Sequence, residues 1–165
     1  MELEYTIHCW QLRHQVDSDD DVNDLHIAVD IDDIQYVGEL LEDISRFELS
    51  LYCEPFPDKS PQHYDVGMES YMKSYKSEVA DFEKITFLIT HEEDEILLWN
   101  NGKTEAYIKL TDKKLKDLKK VLFHTKNNAY LNENTISATR ITDDNEFKDC
   151  KLVFWAATND MVIYY

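Results

Sequence analysis

The sequence predicts a single α+β domain that spans residues 1–165, with a mainly antiparallel sheet and about three helices. Three observations support this prediction. Apolar and polar residues alternate in several segments, apolar residues recur at three- and four-residue steps in others, and no repeat or linker divides the chain. With 165 residues, of which 43% are hydrophobic, the chain is long enough to bury a core.

The N-terminal part predicts two strands and a helix. The first strand is expected within residues 2–16, and the second at residues 25–31, where strict alternation predicts a strand with one face in water. Asp32 and Asp33 are candidate N-caps for a helix that continues to residue 47. Its apolar stripe consists of Ile34, Val37, Leu41, Ile44 and Phe47.

The middle of the chain predicts a short strand at residues 48–54, a loop marked by three prolines, and a second helix over residues 64–82. Residues 84–110 then predict a three-stranded antiparallel meander, because three apolar-rich runs follow one another. The last two runs are joined by Asn101-Gly102, which is typical of a type I′ hairpin turn with positive φ at both residues.

The C-terminal part predicts a helix over residues 111–127, a strand at residues 135–141, a loop or short helical turn at residues 143–149, and a closing hairpin of residues 152–157 and 161–165. The helix carries five lysines between residues 113 and 120. We expect this basic face to be solvated, to pair with the acidic half of the chain, or to join two subunits.

Charge is concentrated in the first part of the chain. The net charge is −17, and residues 1–100 hold 25 acidic and 6 basic side chains, against 9 and 11 in residues 101–165. This field disfavours direct binding to nucleic acid or to an anionic membrane, and suits a basic protein partner. The alternative is an acidic surface that only keeps the protein in solution. We expect the candidate partner-binding residues to form one acidic face; they are Asp17, Asp19, Asp20, Asp21, Asp24, Asp32, Asp33, Glu39, Glu42 and Asp43.

Motifs for catalysis and metal binding do not occur in the sequence. Its three glycines are too widely spaced for a phosphate-binding loop, and its three cysteines form no CxxC pair. Residues 19–30 have the aspartate spacing of a calcium loop but lack its glycine and its final glutamate. Residues 91–95, HEEDE, lack the second histidine of a zinc protease helix. We therefore expect no cofactor, no metal and no catalytic residues. A cysteine–histidine pair assembled in space, and hence an enzyme of unrecognised type, stays an alternative.

The N-terminus lacks the basic and apolar regions of a signal peptide, and no apolar run approaches the length of a membrane span, so we expect a cytoplasmic protein. In size, acidity, few Ala, Gly and Pro residues, and the acidic run at residues 17–33 with the acidic helix after it, the chain resembles bacterial immunity proteins. These include the partners of toxins in contact-dependent inhibition and polymorphic toxin systems. The resemblance implies direct inhibition of a cognate toxin domain, in many cases a nuclease. A nucleic-acid mimic that inhibits a host nuclease is the alternative.

Overall fold

The computed structural model describes residues 5–13, 22–43, 48–55, 79–92, 94–127 and 134–157. Within these residues, nine strands form one sheet and two helices accompany it, which confirms the α+β class. The helices are α1, Ile34–Glu42, and α2, Asp112–Asn127. The strands are β1 Ile7–Leu12, β2 Leu25–Asp30, β3 Glu48–Tyr52, β4 Val79–Asp81, β5 Lys84–Ile89, β6 Leu97–Asn101, β7 Glu105–Leu110, β8 Thr135–Ile141 and β9 Phe147–Ala157.

The sheet is mixed, in the order β3-β5-β7-β6-β8-β9-β2-β1-β4. Five of its strand pairings are antiparallel and three are parallel. The sheet curls until the two ends of this order meet. Glu54, which follows β3, donates its backbone N–H to Ile7 O of β1 at 2.8 Å. Phe82, which follows β4 and precedes β5, donates to Cys9 O at 2.9 Å.

One face of the curled sheet carries the core, and both helices pack on it. Residues Ile7, Ile27 and Phe154 share a buried cluster with residues of α1 and α2. In α2, Leu115, Leu118 and Leu122 form an apolar stripe that is buried against this core. Each fully buried aliphatic side chain of this kind contributes roughly 1.5–3 kcal/mol to folding.

Strand β2 differs from its prediction, because all six of its residues are buried. It lies between β1 and β9, and it pairs with β9 in parallel. His26, Ala28 and Asp30, which were expected to face water, lie on a covered second face instead. The alternation correctly indicated a strand, but a central strand covered on both faces leaves no wet side.

The predicted meander of residues 84–110 is wrong in its topology. Strands β6 and β7 form the expected hairpin, but β5 pairs with β7 in parallel, so β7 lies between β5 and β6. The seven-residue connection from β5 to β6 crosses the end of β7. The turn occurs where predicted, but it is a loop of residues 102–104 closed by the pair Asn101↔Glu105. Within it only Gly102 has a positive φ, of 68°, so the turn is not type I′.

Several predicted boundaries also differ. Helix α1 ends at Glu42, with Asp43 as its C-cap, so it is shorter than predicted. The helix predicted over residues 64–82 does not include its last residues, because Val79–Asp81 form β4; the segment before them lies outside the described residues. Strand β8 has its predicted bounds. Strand β9 begins earlier than predicted, and residues 158–165 also lie outside the described residues.

The two helices are in close contact at Gly38. A Cβ added at this position would lie 2.6 Å from Cζ of Phe123, a ring on α2. Glycine is present although alanine has the higher helix propensity by about 1 kcal/mol. The close contact between the helices therefore explains why position 38 is a glycine.

We expect Gly38→Ala to destabilise the protein by about 1–2 kcal/mol, because the cost of overpacking exceeds the propensity gain. Shortening the opposing ring in the double variant Gly38→Ala, Phe123→Leu should recover part of the loss. Urea denaturation of the wild type, both single variants and the double variant measures these values. A Gly38→Ala variant that is more stable than the wild type would show that the ring moves away freely.

Candidate partner-binding surfaces

The acidic candidates that the structure describes do not form one face. Asp24 precedes β2, whereas Asp32 and Asp33 follow it, and this strand has six residues. At about 3.3 Å per residue, roughly 20 Å separates the two groups. The helix end of the sheet is the end at which β2 leads into α1 and β7 leads into α2. Asp24 lies at the opposite end. Asp17, Asp19, Asp20 and Asp21 lie outside the described residues.

We call the group at the helix end the α1 acidic surface; it comprises Asp32, Asp33, Glu39, Glu42 and Asp43. All of these except Asp33 are exposed. The apolar stripe of α1 turns Ile34, Val37 and Leu41 inward, and this places Glu39 and Glu42 on the outer side of the helix.

Two members of the α1 acidic surface have structural contacts. Asp33 occupies the N-cap position, but its Oδ2 accepts a hydrogen bond from the backbone N–H of Thr6 at 2.7 Å and makes no capping bond. Glu42 forms an ion pair with Lys119 of α2. Lys113 of α2 also pairs with Asp94, at 3.5 Å, so two basic side chains of α2 pair with the acidic first part of the chain, as the sequence allowed.

The other three members are not neutralised within the described part of the chain. Asp32 and Asp43 have no ion pair there, and Glu39 has only a hydrogen bond from Gln35 at 3.3 Å. The sequence contains no lysine or arginine between Arg13 and Arg46. These three carboxylates therefore give α1 a local negative field.

Asp24 has a structural role at the other end of the sheet. Its Oδ1 accepts a hydrogen bond from the backbone N–H of Lys151 at 2.8 Å, which ties the start of β2 to β9. Acidic residues that are close together in the sequence, such as Asp24 and Asp32, thus lie at opposite ends of the fold.

Sequence reasoning did not identify a cleft at this opposite end. It has a volume of about 420 Å³, and it lies where β6 and β8 separate after only two paired positions. Its lining residues are Leu97, Trp99, Asn100, Lys109, Ile141, Thr142, Asp143 and Asn145. Part of the cleft could have been inferred from the hairpin, because a turn after Asn101 makes Trp99 and Tyr107 cross-strand partners.

A polar network lies beside the cleft and shares Asn100 with it. The carboxamide of Asn100 accepts a hydrogen bond from Arg140 Nη1 at 2.8 Å and donates one to Gln11 Oε1 at 3.4 Å. Arg140 also donates from Nε to Asn23 O at 2.8 Å. These bonds connect β6, β8, β1 and the approach to β2, so they close the curled sheet at this end.

The second face of the sheet contains a buried aromatic stack. His26 lies between Trp10, at a ring centroid distance of 5.4 Å, and Trp155, at 6.1 Å. Trp155 donates its indole N–H to His26 Nδ1 at 3.1 Å. Burial lowers the pKa of His26 from 6.5 to about 3, so the ring is neutral near pH 7.

Two of the cysteines have environments that disfavour the thiolate. Burial raises the pKa of Cys9 well above its ordinary value, and it raises that of Cys53 to about 12. An activated cysteine nucleophile requires the opposite shift. Among the described residues, no group of three or more His, Cys, Asp or Glu side chains is placed to hold a metal ion.

None of the helices in the described ranges combines the length and apolar character needed to cross a bilayer. No protein-family model, curated protein or solved structure matches this chain.

Proposed function

We propose that this chain is a binding protein that neutralises a basic protein partner, and that it acts as an immunity protein against a cognate bacterial toxin domain in the cytoplasm. The observation that carries the proposal is the α1 acidic surface. Its residues Asp32, Glu39 and Asp43 are exposed and have no ion pair within the described residues. A nuclease-type toxin domain is the partner class whose basic surface suits these carboxylates best.

Uncompensated carboxylates destabilise an isolated protein through mutual repulsion, so their clustering favours a role in binding over a role in folding. Exposed charges of one sign raise the rate of encounter with a partner of the opposite sign by about 10- to 1000-fold. Charge pairs that become buried in the complex slow dissociation as well. Fast and tight association is what an inhibitor of a toxin requires.

Co-expression with the product of the adjacent gene tests the function directly. If that product arrests bacterial growth, we expect this chain to restore growth and to co-purify with it as a stable complex. An adjacent-gene toxin that stays active and separate in the presence of this chain would contradict the proposal. A complex without growth rescue would show binding without inhibition, and would contradict it too.

Neutralising the exposed carboxylates of α1 should slow association. In the triple variant Asp32→Asn, Glu39→Gln, Asp43→Asn, we expect the association rate constant with the co-purified partner to fall by about 3- to 10-fold at low salt. The difference should shrink at high salt, because exposed charges are screened beyond about 8–10 Å at physiological ionic strength. Stopped-flow kinetics at several salt concentrations measure it. Asp33 and Glu42 are left unchanged, since they bond Thr6 and Lys119.

A matched control changes the net charge equally but elsewhere. The residues Glu54, Glu83 and Asp149 are also exposed, and they lie after β3, in the β4–β5 connection and on β9, away from the helix end. Changing the two glutamates to Gln and Asp149 to Asn should leave the association rate close to that of the wild type. Equal association rates for the wild type and the α1 variant at every salt concentration would contradict the proposal that the α1 acidic surface binds the partner.

A further inference from the structure

We propose that the cleft between β6 and the β8–β9 hairpin binds an arginine side chain of a protein, with the guanidinium stacked on Trp99 and bonded to Asp143. The cleft lies at the end of the sheet opposite the α1 acidic surface. The inference rests on the proposed function only in taking the partner to be basic. It adds a second contact site with a defined chemistry.

One wall of the cleft is aromatic. Trp99 and Tyr107 stack with ring centroids 5.5 Å apart and planes 9° from parallel. Tyr107 is on β7, so it covers the face of the indole that is turned away from β8. The other face of the indole is on the cleft side, where β6 and β8 have separated. A cation stacked on an indole face is attracted by the negative charge of the ring face, and the attraction strengthens as water is excluded.

The opposite wall is the tight turn between β8 and β9. Thr142 accepts a hydrogen bond from the backbone N–H of Asn145 at 2.9 Å and donates its own N–H to Glu146 O at 2.9 Å. Asn145 has a φ of 60°, which an asparagine tolerates better than most residues. The turn is therefore well defined, and it places the exposed carboxylate of Asp143 at the cleft.

The charges around the cleft favour a cation. Asp143 and the adjacent Asp144 are both exposed in the β8–β9 turn, in a chain of net charge −17. Lys109 is the cross-strand partner of Leu97, two pairs further from the hairpin turn than Trp99 and Tyr107. Its ammonium disfavours a second cation at the Leu97 side, so a guanidinium is best placed between Trp99 and Asp143.

Arginine fits this arrangement better than lysine does. Its guanidinium is planar and delocalised, so it can lie flat on the indole while its edge donates two parallel hydrogen bonds to one carboxylate. A lysine ammonium is more strongly hydrated and offers no flat face. The volume of about 420 Å³ is ample for one such side chain.

The test uses the whole protein, labelled with ¹⁵N, and N-acetyl-arginine amide as the probe. We expect a saturable shift of the Trp99 indole N–H signal in NMR spectra, with that signal identified from a Trp99→Phe variant. N-acetyl-citrulline amide has nearly the same shape without the charge, and N-acetyl-lysine amide has the charge without the plane. Both should bind at least about 3-fold more weakly, because each lacks one of the two contacts.

Two variants test whether the Asp143 carboxylate binds the guanidinium directly or acts only through the negative charge of the whole protein. Asp143→Asn should weaken binding of arginine amide by roughly 3- to 10-fold. Asp149→Asn removes the same charge from an exposed position on β9 that does not line the cleft, and it should leave binding nearly unchanged.

The inference is overturned if the arginine amide produces no saturable shift of the Trp99 signal. It is also overturned if the lysine or citrulline amides bind equally well, or if the two aspartate variants behave alike. Because the probe contains no partner protein, such a result leaves co-purification and growth rescue untouched. Conversely, loss of growth rescue with intact arginine binding would reject the proposed function alone.

Discussion

Lowering the pH from about 7 to about 5 should reduce the free energy of unfolding by about 2 kcal/mol through the single buried histidine His26. Its folded-state pKa is about 3, whereas the ordinary value of 6.5 applies in the unfolded chain. Between these values the unfolded state binds the additional proton, so stability rises with pH. The contribution is complete above pH 6.5, and it is lost progressively as the pH falls from 6.5 toward 3.

The geometry explains why protonation is unfavourable. Nδ1 of His26 accepts the indole N–H of Trp155, so a proton on this nitrogen would place two donors opposite each other. His26 is only 7% exposed, and water cannot solvate the new charge. The stacked ring of Trp10 offers a partial cation–π gain, which is smaller than the desolvation cost.

The variant His26→Asn isolates this effect. Asparagine can keep an acceptor near the position of Nδ1, but it does not titrate. We expect it to be less stable than the wild type near pH 7, because the stack is lost, and to have a flatter dependence on pH between 6.5 and 4. Urea denaturation at several pH values gives both slopes. Equal slopes would assign the acid sensitivity to other groups, and an NMR titration of the His26 ring with a midpoint near 6.5 would contradict the buried, neutral state.

Local patterns in the sequence were sufficient to predict most elements but not how they pair. Alternation located β2, and the Asn101-Gly102 pair located the β6–β7 hairpin. The parallel pairing of β5 with β7 depends on a crossing of residues 90–96, and nothing local specifies it. The covered second face of β2 likewise depends on Trp10 and Trp155, which are distant in sequence.

The candidate binding surfaces also show that local sequence patterns do not specify how distant segments come together. Acidic residues that are close in sequence were expected to form one face, yet a strand of six residues separates Asp24 from Asp32. Exposure of Glu39 followed from the apolar stripe of α1, since the stripe fixes which side of the helix faces water. The cleft could not be inferred, because it forms where β6 and β8 diverge, between segments about 40 residues apart.

Arg140 should be one of the most sensitive positions in the chain, although it lies in a strand that the sequence marks only by alternation. It is 5% exposed, and its guanidinium donates to Asn100 Oδ1 and to Asn23 O, each at 2.8 Å. The bonds join β8 to β6 and to the residues before β2. A hydrogen bond from a charged donor contributes roughly 1.5–3 kcal/mol to stability, and a buried acceptor that has lost its donor lowers stability by about 1–3 kcal/mol.

We expect Arg140→Met to lower the free energy of unfolding by about 2–4 kcal/mol, because the apolar stem is retained while both acceptors lose their donor. Arg140→Lys should recover at most about half of the lost free energy, since one ammonium cannot reproduce the planar set of N–H donors of a guanidinium. Arg13→Met, at an exposed arginine of the same end, is the matched control and should stay within about 0.5 kcal/mol of the wild type.

A double-mutant cycle tests whether the loss of stability arises from the hydrogen bond between Arg140 and Asn100. If the bond between Arg140 and Asn100 holds the curled sheet together, Arg140→Met and Asn100→Ala should cost less in combination than the sum of their separate effects, by about 1–2 kcal/mol. Additive effects would show that the two side chains stabilise the fold independently. An Arg140→Met variant as stable as the Arg13→Met control would show that the backbone pairing alone keeps this end of the sheet closed, and that the guanidinium is dispensable there.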